Sequence, residues 1–177
     1  MSYDPSGTIF AQTTDKTVVN SAAETTLTAA GVGSLTLRAN SLVPGKTIRI
    51  KAKGFYSETG NPTIRFKIKI GAVIVLDTTA ESLNGSGTAN NAEWTLNAEI
   101  TCRTTGVGGT VAGQGEWVSS QNSATSTVSL GMTNTSPVTI DTTVAEAIDL
   151  TVQWGAADPG DTITCTNLTV EVLAIKT

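Results

Sequence analysis

Histidine is absent from the 177-residue chain, so imidazole proton transfer, the triads built on it and His-containing zinc sites have no starting point. The groups left to do chemistry are few. Cys102 and Cys165 lack CxxC spacing and read as small buried hydrophobes, with an inter-strand disulfide as the alternative in an oxidising compartment. Glu93 and Glu99 share one parity of a strand pattern but lie six residues apart, about 20 Å at the usual rise. That is too far for paired-carboxylate glycoside hydrolysis, and both read as solvated acids. Asp158 and Asp161 flank Pro159-Gly160; such a pair could hold Ca²⁺ weakly, yet the ligand density of a calcium loop is missing and turn chemistry accounts for them. Gly45-Lys46-Thr47 has the ending of a phosphate-binding loop, but position 40 is Asn and a strand pattern follows. Pro44-Gly45 is therefore expected to be a type II turn. The run from Gly106 to Gly115 does not fit GxGxxG and reads as a flexible turn or bulge region between strands. The sequons at Asn84, Asn134 and Asn167 fall in a Ser- and Thr-rich chain where such triplets arise by chance. No catalytic, cofactor or metal site is expected.

The elements that would position these groups are strands. In Lys46–Leu76, Ile48, Ile50 and Ala52 alternate with Arg49, Lys51 and Lys53, and after SETGNP, Ile64, Phe66, Ile68 and Ile70 alternate with Arg65, Lys67 and Lys69. Period-two patterning gives each strand one apolar face for a core and one basic face. Ala92 to Arg103 alternates over the greatest length. Ile148 to Trp154 alternates strongly, and Val128, Leu130 and Met132 more weakly. In the last strand Ile163 and Cys165 occupy odd positions while Leu168, Val170 and Val172 occupy even ones, so a β-bulge is expected near Thr166–Asn167. The expected core is Ile48, Ile50, Ile64, Phe66, Ile68, Trp94, Leu96, Ile100, Leu150, Val152, Trp154 and Val170.

Residues 1–20 scatter Tyr3, Ile9 and Phe10 among turn formers. They read as an extended arm, and residues 21–177 as a single sandwich domain. The apolar residues of the arm need a surface, either on a neighbouring subunit or scaffold or on their own domain. The net charge of −4 hides an asymmetry: Lys46–Lys69 holds seven of eleven basic residues and one acid. Such a stretch is either a footprint for an anionic partner or a solvated face that discourages edge-to-edge pairing. No run of eighteen apolar residues suggests a membrane span, and no Sec signal is visible.

About eight to ten alternating strands joined by Gly- and Ser-rich connections predict an all-β, two-sheet antiparallel sandwich, a jelly roll, with an immunoglobulin-like sandwich as the alternative. Three stretches carry a resemblance: SLTLRANSLVPGKTIRIKAKGFYSETGNPTIRFKIKIG, AEWTLNAEITCRTTGVGGTVAGQGEW and IDTTVAEAIDLTVQWGAADPGDTITCTNLTVEVL. In texture and strand order, over roughly residues 20 to 175, the chain resembles the jelly-roll structural proteins of tailed bacteriophages, the modules of head fibres, capsid decoration proteins and tail fibre tips. The resemblance implies a non-enzymatic, homotrimeric virion component built like the tumour-necrosis-factor jelly roll, without cofactors. Its partners would be capsid or other virion proteins, with no nucleic acid and no membrane. Tyr3, Ile9 and Phe10 would then be the virion-anchoring residues. The alternative is a carbohydrate- or receptor-binding fibre-tip module recognising a host-surface glycan, for which Tyr56 and Trp117 are the candidate exposed aromatics.

Overall fold

The computed structural model describes residues 7–83, 88–120 and 127–173, and every regular element among them is a strand. In chain order these are Gly7–Gln12 (β1), Lys16–Val19 (β2), Thr25–Thr26 (β3), Gly31–Gly33 (β4), Thr36–Leu37 (β5), Thr47–Glu58 (β6), Thr63–Ile70 (β7) and Val73–Asp77 (β8). There follow Glu81–Ser82 (β9), Ala89–Thr104 (β10), Gly109–Ser120 (β11), Thr127–Thr133 (β12), Val138–Ile140 (β13), Glu146–Trp154 (β14) and Thr162–Leu173 (β15). All pairings are antiparallel. The larger sheet runs β12-β11-β10-β6-β15-β1-β4, with β13 also on β11 and β2 also on β15; the smaller runs β3-β14-β7-β8, with β5 on β14 and β9 on β7.

The two strands with the clearest alternation do not pair with each other. β6 lies between β10 and β15, and β7 between β8 and β14, so their apolar faces meet across the sandwich and their basic faces point outward from opposite sheets. The SETGNP connection is thus a corner between sheets. Gly60 and Asn61 turn it with φ of 76° and 55°, a region open to Gly and tolerated by Asn. The buried Glu58 carboxylate holds the corner by accepting backbone N–H bonds from Asn61 and Ala89. The return crossing from β14 to β15 runs beside it: Thr59 donates its N–H to Asp161 and its hydroxyl to Asp158. The pair β6–β15 in one sheet therefore continues, across a hydrogen-bonded corner, as the pair β7–β14 in the other.

All twelve expected core residues are buried, none more than 1% exposed. Aromatic rings close the gap between the sheets, with Phe66 of β7 against Trp94 of β10 at 6.1 Å and Trp117 of β11 at 5.2 Å. The expected bulge is present. Cys165 pairs with Gly54 and Asn167 with Lys53, leaving Thr166 as the extra residue. Pro44-Gly45 forms the expected turn, with Gly45 at φ 88° and Lys46 N–H donating to the Val43 carbonyl at 3.0 Å.

Two expectations are corrected. Most of the run expected as a flexible connection, Gly109 to Gly115, is strand, paired to β10 and β13. Its inward glycines sit where a side chain does not fit: a Cβ on Gly115 would lie 2.8 Å from that of Ala98. Residues 7–19, within the stretch expected as an arm, form β1 and β2 on β15. Phe10 is buried, and its ring lies over Gly31, where a Cβ would come within 2.6 Å of it.

Candidate functional site

The outward side chains of the larger sheet are set by the parity of its strands. With Ile48, Ile50, Ala52, Gly54 and Tyr56 inward, β6 turns Arg49, Lys51, Lys53, Phe55 and Ser57 to solvent. Register then builds rows across the face. Arg49 stands between Glu99 and Glu171, Lys51 between Asn97 and Thr169, Lys53 between Thr95 and Asn167, and Phe55 between Glu93 and Thr164.

Arg49 is held in place. Its Nε and Nη2 donate to Glu99 Oε1 at 2.9 and 2.8 Å, and Nη1 lies 3.7 Å from Glu171. The Glu99 hydrogen bond raises the guanidinium pKa further above its ordinary value. Beside this pair a shallow depression of about 340 Å³ is lined by Arg49, Lys51, Asn97, Ala98, Glu99 and Gln114. A second, of about 430 Å³, shares Glu99 and Gln114 and extends over Ala112 and Gly113 to Arg103, Asn134 and Ser136. The walls offer amides, a carboxylate, hydroxyls and fixed positive charge over a floor of small residues. That inventory binds by hydrogen bonds and charge.

The outer face of the smaller sheet is differently occupied. The segment after β2 crosses it, and Glu24 reaches Lys67 Nζ at 2.5 Å, Lys69 Nζ at 3.3 Å and the Thr151 hydroxyl at 3.1 Å. The hydrogen bond from Lys67 leads in holding the Glu24 carboxyl down at about 2. Arg65 forms a two-nitrogen ion pair with Asp77. Burial pushes the Asp77 carboxyl up, but Arg65 and the Thr79 N–H outweigh it and leave it below the ordinary range. The basic stretch of the sequence is thus divided between two faces, and four of its cations are paired with acids.

The remaining candidates fall as follows. Tyr56 and Trp117, expected as exposed aromatics, are corrected to core residues 1% and 0% exposed, in edge-to-face contact at 5.7 Å. Phe55, 42% exposed, is instead the only exposed aromatic among the described residues. Extending the parity of Ile48, Ile50 and Ala52 by two steps would have placed Tyr56 inside and Phe55 outside. Glu93 and Glu99 point outward in different rows. Asp158 and Asp161 belong to the corner: Asp158 accepts the Gly160 N–H at 2.7 Å, and no group of three metal-ligating side chains occurs among the described residues. Cys102 and Cys165 are free thiols in the core, and burial pushes Cys165 up to about 11. Phe10 is buried and Ile9 packs partly buried against the core, while Tyr3 and Asn84 lie outside the described residues. Asn134 donates its side-chain amide to the Val75 carbonyl at 2.6 Å. No protein-family model matches the chain, and no curated protein matches it.

Proposed function

We propose that the protein is a non-enzymatic structural component of a bacteriophage virion, a trimeric capsid decoration or head-fibre protein of jelly-roll type. The observation that carries the reading is the paired ribbon: β6 with β15, then β7 with β14 across one corner. An antiparallel ribbon that passes from one sheet to the other supports a jelly-roll reading of this two-sheet sandwich. The resemblance to phage jelly-roll proteins supplies the virion context and the threefold assembly, in which Thr-rich outer faces pack around the axis. Its partners are then copies of itself and other virion proteins, and residues 1–6, ahead of β1, are the segment left to reach them.

Light scattering on the purified protein tests the assembly, with three times 18.2 kDa expected, and immunolabelling of purified particles tests the location. A monomer in solution that is also absent from particles overturns the reading.

A second reading, a glycan- or receptor-binding fibre-tip module, is favoured by one observation: Phe55, the one exposed aromatic among the described residues, stands on the same sheet face as the amide-lined depression.

A further inference from the structure

We propose that the outer face of β6 is a binding track for an acidic oligosaccharide, with Phe55 as the stacking platform and Lys51 and Lys53 as the carboxylate-binding cations. The inference rests on the glycan-binding reading and names its residues and ligand charge. Three independent features of the face meet here.

The first is unspent positive charge. Arg49, Arg65, Lys67 and Lys69 are all in ion pairs, whereas Lys51 and Lys53 form no ion pair among the described residues. Both are exposed. Their cross-strand neighbours Asn97, Thr169, Thr95 and Asn167 are neutral, although an acid directly opposite is the cheap way to settle a sheet lysine, as Arg49 shows with Glu99.

The second is Phe55, two residues beyond Lys53 on the same parity and 42% exposed on a central strand. An aromatic face open to water on an otherwise polar sheet suits the C–H face of a sugar ring, which is apolar while its rim is hydroxylated. From Lys51 to Phe55 the track spans about 13 Å, the reach of a short oligosaccharide.

The third is hydrogen-bonding capacity. Asn97 and Gln114, flanking the depression that Lys51 lines, each offer a donor and an acceptor, the match for hydroxyls that both donate and accept.

Charge density selects the ligand class. Glu93, Glu99, Glu116 and Glu171 stand on the same face and would repel a polyphosphate with one charge per residue, but they leave room for a carboxylate between them at Lys51 and Lys53. A protein partner would need a continuous apolar centre, whereas the exposed apolar side chains of this face are dispersed, with β15 lying between Phe55 and the other two, Val19 and Val32.

The test is calorimetric titration of the purified protein with 3′-sialyllactose, a trisaccharide carrying one carboxylate, and with neutral lactose. Acid-selective binding is expected, weakened by salt, with at least a tenfold loss in Phe55→Ala and loss of acid preference in Lys51→Ala/Lys53→Ala, at unchanged melting temperature. Equal binding of both sugars with Phe55 still required overturns the acidic specificity and leaves the glycan reading standing. Binding of neither sugar by the folded protein overturns both. A Phe55→Ala variant that binds neither sugar better nor worse but breaks up an oligomer assigns the face to subunit contact and likewise overturns the proposal.

Discussion

Phe66 stacks on Trp117 across the sandwich, ring centroids 5.2 Å apart and planes at 25°, although the two residues belong to different sheets and Phe66 also leans on Trp94. The contact joins the sheets at a point where neither backbone can, since the strand-ladder hydrogen bonds run only within each sheet. Phe66→Ala is expected to cost about 3 to 5 kcal/mol for the lost ring and the cavity, read as a drop in the urea midpoint. A double-mutant cycle with Trp117→Leu should return a coupling of about 0.5 to 1.5 kcal/mol, the aromatic contribution beyond burial.

The corner carries a polar clasp rather than an apolar one. Asp161 is 1% exposed and accepts the Thr59 N–H at 3.0 Å; burial raises its carboxyl pKa, the Thr59 bond opposes this, and Asp158 adds to the rise. Asp161→Ala removes the acceptor and strands a backbone donor, at about 1 to 3 kcal/mol. Asp161→Asn keeps an acceptor without a buried charge. A raised folded-state pKa means the folded protein holds this proton more tightly than the unfolded chain, so ionisation of Asp161 weakens the fold as pH rises through the ordinary carboxylate range. The Asn variant should therefore match or exceed the wild type at pH 7 in thermal melts and lose that relative gain near pH 3.

Much of the fold was legible because strand parity is a local signal. The bulge at Thr166 could be read from a change of parity between Cys165 and Leu168, and its partner is Gly54, where a Cβ would fall 1.8 Å from the Thr164 carbonyl oxygen. Which strands share a sheet was not local. β6 and β7 are joined by a short connection that suits a hairpin, yet they enter different sheets because both apolar faces need the same core. The glycine run in β11 read as a turn because glycine is common in both settings, and only the opposing Ala98 and Ile100 reveal that side chains would not fit. Phe55 was missed because two adjacent aromatics, Phe55 and Tyr56, always face opposite ways in a strand, and the larger polar ring drew the assignment. The two depressions were beyond reading from sequence, since Glu99, Gln114 and Asn134 come together only through the β10-β11-β12 register.

The Glu24 clasp predicts an acid dependence. Its folded-state carboxyl is held at about 2 against an ordinary 4.5, chiefly by Lys67, so its contribution is complete above about pH 4.5 and is lost as pH falls through about 2. The Glu24 side chain is 28% exposed and Lys67 only 9%; solvent screening of the carboxylate reduces the benefit to about 1 to 2 kcal/mol. Glu24→Gln should show that deficit at pH 7 in urea unfolding. Wild type and variant should converge by about pH 2, and a gap that stays constant with pH would assign the loss to packing instead of charge.

Deleting residues 1–10 separates two uses of the N-terminal segment. Phe10 is 5% exposed over Gly31, and β1 pairs with both β15 and β4, so the deletion removes a core ring and most of a strand that protects the edge of β15. Burial of one large side chain alone contributes about 1.5 to 3 kcal/mol, and the lost ladder adds to it. The 1–10 deletion should therefore melt well below the full chain, whereas deletion of residues 1–6 leaves β1 whole and should melt with it. If the proposed virion role holds and the segment ahead of β1 makes the contact, through Tyr3, the shorter deletion should abolish incorporation into particles at unchanged stability. Normal incorporation of the 1–6 deletion would move the virion contact onto the folded domain, where the exposed face of the larger sheet is the surface to test next by substitution at Lys51 and Lys53.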